Sequence, residues 1–317
     1  MVSLPRPRNR RRRNPPLGAV FLIVLLIASA YINHRQRVKV LKYQKHLDTP
    51  AAAAAPLLPR PVTKPLPSLP FSIGESSGIL WNLNTHQVIW QKHPHQVGPL
   101  ASTTKLMTIY LILHHMSLNQ VVTISPQAAA TSGSDMNMAP GNQFTVRQLL
   151  YGLMLRSAND SAVALAEAMS GHTKNFVNTM NQTAHQWNLA HLSYADPDGL
   201  SHLSRGTAWD LSVIAMQDMR NPLFRQIVNT RTTSLPHNPI VRNLNGLLFM
   251  DPTVVGLKTG WTTQAGFNEV FAATRTINGH KVTLLGVILH GQQGFPPEHQ
   301  DAERMLNWGF SQVSHHN

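Results

Sequence analysis

The 317 residues contain no cysteine. That excludes thiol catalysis, cysteine-ligated metals, disulfides and a lipid-modified N-terminal cysteine, and it suits an exported protein that needs no redox partner. Charge is scarce as well, at 13% of residues, while histidine is plentiful at 17. A charge-poor, histidine-rich exported domain would suit an acidic medium. Acid is nearly missing from residues 1–70, where 13 Lys and Arg stand against Asp48 alone, a net charge of +12. Residues 71–317 carry 14 bases and 13 acids, a net of +1. The isoelectric point of about 10.6 therefore belongs to an N-terminal arm, and halves this unequal imply a tail followed by a globular domain. No internal repeat is visible.

The arm reads in three pieces. Residues 1–16 are polybasic, with Arg10 to Arg13 in a run, and form a basic cytoplasmic arm. Residues 17–32 are almost wholly apolar and serve either as a signal peptide cut after Ala30 or as a retained membrane anchor. The retained anchor is preferred, because the chain shows no other means of membrane attachment. Slightly more positive charge before the stretch than after it orients the N-terminus inward. Either reading places the remainder outside the cytoplasmic membrane. A nucleic-acid-binding arm is disfavoured by the apolar stretch directly behind the arginines. Residues 33–70 form a linker, Ala- and Pro-rich from Thr49 to Pro70, a semi-rigid spacer without a core.

Residues 71–317 read as one α+β domain. Ile79-Leu80-Trp81 and Val88-Ile89-Trp90 flank a turn at Asn84-Thr85, and Glu269–Thr276 and Lys281–His290 flank Asn278-Gly279, a type I′ hairpin signal. Between them, helices are expected over Lys105–Met116, Thr145–Arg156, Asp160–Met169, Lys174–Trp187 and Thr207–Met219, with Thr145 as an N-cap and Gly171 as a stop. A last amphipathic helix is expected over Asp301–Val313. Hairpins at both ends with helices between imply an antiparallel sheet flanked by helices.

Three short motifs carry chemistry. Ser102-Thr-Thr-Lys105 places a hydroxyl and an amine three residues apart on one helical face. A Ser three before a Lys arises by chance about once in a chain of this length, so the motif needs its companions. Serine is a poor nucleophile until a base takes its proton. Lysine is such a base only when neutral, which burial and a nearby cation favour, and Lys258 would be that cation. The helix N-terminus offers free N–H groups for an oxyanion. Ser157-Ala-Asn159 lies between two helices, where Ser157 can relay a proton and Asn159 can hold an amide, unless either merely caps the next helix. Lys258-Thr259-Gly260 looks like a strand edge. Lys258 and Thr259 suit a carboxylate, and Gly260 lets a substrate backbone approach.

With Leu100-Ala-Ser102-Thr-Thr-Lys105-Leu-Met-Thr108, Leu149 to Asp160, Asp196-Pro-Asp-Gly199-Leu200, Gly256 to Thr262 and Met305 to Phe310, the chain resembles the low-molecular-mass penicillin-binding proteins of the D-alanyl-D-alanine carboxypeptidase family over residues 71–313. The resemblance implies a sheet flanked by helices with an inserted all-helical lobe, the penicillin-binding protein/β-lactamase-like transpeptidase fold. It implies removal of the terminal D-alanine from peptidoglycan stem pentapeptides through an acyl-enzyme trapped by β-lactams, with no cofactor, no metal and no nucleic acid. Ser102 would be acylated, Lys105 would be its base and Ser157 would protonate the departing D-alanine. Asn159 would hold a substrate amide, Lys258 and Thr259 the terminal carboxylate. The N–H groups of Ser102 and Trp261 would form the oxyanion hole beside Gly260. Many members dock on the membrane through a further β-rich domain and a C-terminal amphipathic helix; here the N-terminal stretch is expected to take over that anchoring.

Three rival readings compete with this one. A class A-like β-lactamase is disfavoured because Ala158 stands where that class has Asp and residues 185–205 hold no Glu. A D,D-endopeptidase cutting cross-links is not separated by any residue. An inactive wall-binding homologue is opposed by intact Ser102, Lys105 and Lys258. His93, His95, His114, His115, His315 and His316 lack metal-site spacing. Asp196 to Gly199 reads as a turn rather than a calcium loop, Met136 and Met138 as lining of the helical lobe, and Ser134 as a residue near the site mouth.

Overall fold

The computed structural model describes residues 65–315. The basic arm, the apolar stretch and the linker up to residue 64 lie outside the described residues. Among the described residues, no helix is long and apolar enough to cross a membrane.

The N-terminal hairpin forms from β1 (Ser77–Asn82) and β2 (Gln87–Lys92), joined across the expected turn. The other three strands come from the far end of the chain: β3 (Val254–Thr262), β4 (Gly266–Ile277) and β5 (His280–Gly291). Asn278 and Gly279 both take positive φ, 50° and 81°, as the type I′ turn between β4 and β5 requires. The sheet order is β2-β1-β5-β4-β3, antiparallel throughout. Chain ends therefore meet in the middle of the sheet, and β3 becomes a free edge.

Helices cover both faces. The terminal helix α7 (Phe295–His315) packs on β4 and β5. It buries Ala302, Met305, Leu306 and Phe310 against Leu80, Phe271, Leu284 and Ile288. It begins six residues before the expected Asp301, since Pro296 and Pro297 fall in the first turn, where a missing N–H costs nothing. The opposite face carries α5 (Ala208–Asp218), whose Trp209 meets Trp81 edge-on at 5.4 Å. Helix α1 (Lys105–His115) lies between α5 and the helical lobe. That lobe contains α2 (Val146–Leu155), α3 (Asn159–Ser170), α4 (Thr173–Gln186) and the short α6 (Pro222–Val228).

The sequence signals at the helix ends hold. Thr145 and Gln148 form a reciprocal capping box on α2, and Gly171 closes α3. Met136 and Met138 are buried in the lobe as expected. Leu69, Phe71 and Ile73 pack against the sheet core.

Candidate active site

The nucleophile candidate does not lie on α1 itself. Ser102 sits in a 3₁₀ turn, Ala101–Thr104, that runs into Lys105 as the first residue of α1. The tighter turn keeps the two side chains on one side, and Lys105 Nζ lies 2.9 Å from Ser102 Oγ. Lys105 is fully buried. Its amine also donates to Asn159 Oδ1 at 2.7 Å and to the Asp198 carbonyl at 2.6 Å. Burial pushes its pKa down to about 8, against the opposing pull of Asp198, Asp196 and Asp160.

The amine of Lys258 is held well below its ordinary range, first by its own burial and then by the charge of Lys105. Burial is the first cause at both amines. Lys258 is 2% exposed, and its Nζ donates to Ser157 Oγ at 3.0 Å and to the Thr259 carbonyl at 2.6 Å. A carboxylate placed against it would supply the opposite charge that favours the ammonium.

Ser157 and Asn159 are not spent on capping. The N-cap of α3 is Ala158, without a side-chain bond, and Ser157 takes a left-handed φ of 58° that turns its hydroxyl to Lys258. Asn159 is engaged at both ends of its amide. Its oxygen accepts from Lys105 and its Nδ2 donates to the Ser132 carbonyl at 2.7 Å, while its N–H donates to the Ser134 carbonyl. Asn159 thus orients the lysine base, a role its residue type alone did not reveal. Loop 131–138, where Ser134 was placed near the site mouth, lies against it.

The third motif lies on β3, the free edge. A Cβ on Gly260 would stand 2.8 Å from the Ser102 nitrogen and 3.0 Å from that of Thr103, so only glycine lets the strand lie this close to the nucleophile's amide. Thr259 is buried, and Trp261 is 53% exposed with its ring 5.9 Å from Phe267. The structure therefore brings Ser102, Lys105, Ser157, Asn159, Lys258 and Gly260 together, with Trp261 at the rim.

Sequence reading missed the backing of this site. Asp196 accepts from the amides of Gly199 and Ser201 and from the Ser204 hydroxyl, confirming the turn, but that turn also presents the Asp198 carbonyl to Lys105. Thr108 fixes it to α1 through the Pro197 carbonyl at 2.6 Å. Asp160, 1% exposed, holds loop 131–138 through the amides of Met136 and Met138. Its place beside Asn159 was the one available signal. Among the described residues no cluster of His, Cys, Asp and Glu is arranged to hold a metal ion.

An amine whose pKa burial lowers to about 8, held against a serine hydroxyl beside a sheet edge, defines a serine–lysine acyl-transfer enzyme. The comparisons narrow the class. A family model described as D-alanyl-D-alanine carboxypeptidase matches residues 63–292, and the chain belongs to that family. It is similar to the D-alanyl-D-alanine carboxypeptidase of Streptomyces sp. strain K15, 32% identical over 79% of this chain and 90% of that one. It is also similar to the DacF carboxypeptidase of Bacillus subtilis, 28% identical over 76% of this chain, where it spans only 63% of the relative's length. A D-alanyl-D-alanine endopeptidase of Escherichia coli matches at 29% over 80% of this chain and 84% of that one. Among solved structures, the Streptomyces K15 DD-transpeptidase superposes with a TM-score of 0.69 at 32% identity, covering 79% of this chain and all of that one. A D-alanyl-D-alanine carboxypeptidase from Mycobacterium tuberculosis H37Rv gives 0.71 at 28%, covering 80% and 96%. The expected fold is the one observed.

Proposed function

We propose the following division of labour in this serine D-alanyl-D-alanine carboxypeptidase. The substrate is a peptidoglycan stem peptide ending in D-Ala-D-Ala, laid along the β3 edge with its terminal carboxylate at Lys258 and Thr259. Ser102 Oγ attacks the carbonyl carbon of the penultimate residue and passes its proton to Lys105 Nζ. The N–H groups of Ser102 and Trp261 hold the oxyanion. When the C–N bond breaks, the terminal D-alanine leaves as an amine protonated through Ser157, leaving an ester on Ser102. Water hydrolyses the ester, and the proton returns to Ser102. A β-lactam forms the same ester but keeps its leaving group tethered, so it stays as a covalent adduct. Asn159 holds the base and offers its remaining N–H to a substrate amide.

The observation that carries this reading is the 2.9 Å approach of a wholly buried lysine amine to Ser102 Oγ. A neutral amine with two of its hydrogens given to Asn159 and Asp198 presents its lone pair to the serine. A fluorescent penicillin should label the native protein and not Ser102→Ala. Label retained by that variant would exclude Ser102 as the nucleophile. Incubation with a synthetic pentapeptide and with a cross-linked dimer, read by mass, separates release of D-alanine from cleavage of cross-links.

We further infer that residues 17–32 hold the domain at the outer face of the cytoplasmic membrane. The basic residues before a 16-residue apolar stretch support this. Recovery of the full-length chain in the soluble fraction of washed cells would refute it.

A further inference from the structure

Asn268 lies on β4 directly opposite Gly260 in the β3–β4 ladder, and it is fully buried. Its side chain reaches out of the sheet. Nδ2 donates to the carbonyls of Pro99 at 3.2 Å and Leu100 at 3.0 Å, while Oδ1 accepts from the His290 amide at 2.8 Å on β5. One amide group thus ties two sheet strands to the segment that leads into the nucleophile.

That segment needs holding. Ala101, between Leu100 and Ser102, has a φ of 48°, a left-handed conformation that is unfavourable for an alanine and persists only where its surroundings impose it. The Leu100 amide is held by the Ser204 carbonyl at 3.0 Å, and its carbonyl by Asn268 and by the Thr103 hydroxyl at 2.7 Å. Gly260 only permits a close approach; it makes no side-chain bond that would maintain one.

We propose that Asn268 is the positioning residue that holds the Ser102 turn against the β3 edge, setting the nucleophile's place relative to both Lys105 and the oxyanion donors. Lys258, Thr259 and Ser157 are fixed by bonds that do not pass through Asn268. Loss of Asn268 therefore disturbs acylation rather than carboxylate binding. This rests on the acyl-enzyme reading above.

The test compares native protein with Asn268→Ala and Asn268→Asp. Asn268→Ala is expected to slow acylation by a penicillin about 10–100-fold, the loss typical of a displacement on the order of 1 Å, while KM for a D-Ala-D-Ala peptide changes less than about threefold. An aspartate has the same shape, but it carries no donor when ionised and a single O–H when protonated, in place of the two N–H of the amide. The Asn268→Asp acylation rate, taken relative to native, should therefore be highest in acid, where one donor is restored, and fall as pH rises. A ratio that stays constant with pH, or a loss confined to KM, overturns the proposal. If Asn268→Ala does not fold, the aspartate variant in acid carries the test alone, with its far-UV circular dichroism confirming the fold. Failure of the native protein itself to take up label would instead overturn the reading of the site.

Discussion

Replacing Glu298 by glutamine should make the domain more stable, and increasingly so as pH rises. Glu298 stands near the start of α7 in a buried group with Glu75, Glu269, His299 and Asp301. Glu269 bonds His299 at 2.8 Å and Asp301 takes the Gly74 amide at 2.9 Å and Arg304. Neither oxygen of Glu298 has a partner among the described residues. Burial, followed by the charges of Glu269, Glu75 and Asp301, pushes its pKa up to about 10, and Glu75 is pushed up to about 7 for related reasons. In the unfolded chain Glu298 loses its proton near pH 4.5. Between there and about 10 the folded state holds a proton that the unfolded state does not. Its contribution is complete below pH 4.5 and is lost as pH rises, at about 1.4 kcal/mol per pH unit. Glutamine exchanges a neutral group for a neutral group, so the other titrations cancel in the difference between variant and native. From pH 6.5 to 8 that difference should widen by about 2 kcal/mol. In a domain of this size that is about 4–8 °C in Tm. Urea unfolding followed by circular dichroism at pH 6.5, 7 and 8 measures it. A constant separation over this range would show that Glu298 is ionised in the folded protein. If added calcium stabilised the native protein and not the variant at pH 8, the carboxylates would be holding a cation instead of a proton.

The catalytic base makes a prediction of opposite sign. Lys105, pushed down to about 8, is competent when neutral, so acylation by a penicillin should fall about tenfold per pH unit below that value; a flat profile down to pH 5 would exclude a lysine base. Gly260→Ala should cut kcat/KM about a hundredfold, because its methyl would stand 2.8 Å from the Ser102 nitrogen and displace the turn. Activity within threefold of native would mean that the strand yields without cost.

The parts of this molecule that follow local rules were legible in the sequence. Thr145 with Gln148, Gly171 and Asn278-Gly279 fix chain ends and turns through bonds to their own neighbours, and the structure has each where the pattern put it. The three motifs were legible because each is short and its chemistry rests on residue type. Ser102, Lys105 and Gly260 needed only a turn, a helix and an edge. What joins them was not legible. The Asp198 carbonyl is a backbone group any residue would supply; it reaches Lys105 only because Asp196 folds the turn back and Thr108 fixes it. Asn268 reads as an unremarkable polar residue in a strand until the register places it opposite Gly260. The burial of both lysines was not legible either, because periodicity does not measure depth.

The two buried groups of titrating side chains set opposing demands. Carboxyls such as Glu298, and Asp218, whose pKa burial alone raises well above the usual range, favour the folded state in acid because there they need not ionise. Lys105 gains nothing from acid: in the folded protein its proton must leave before Ser102 can attack. Between pH 5 and 8 the fraction of neutral lysine rises while the carboxyls' contribution to stability falls. A domain so built gives up stability to gain rate across one pH interval. Because Glu298 lies on the α7 face and Lys105 on the α1 side of the sheet, their two demands are separable. Glu298→Gln should raise stability at pH 8 while leaving the acid limb of the acylation profile where Lys105 sets it. A matching shift of that limb would mean that the two groups sense each other through the sheet, and that burial of Lys105 alone does not determine its proton affinity.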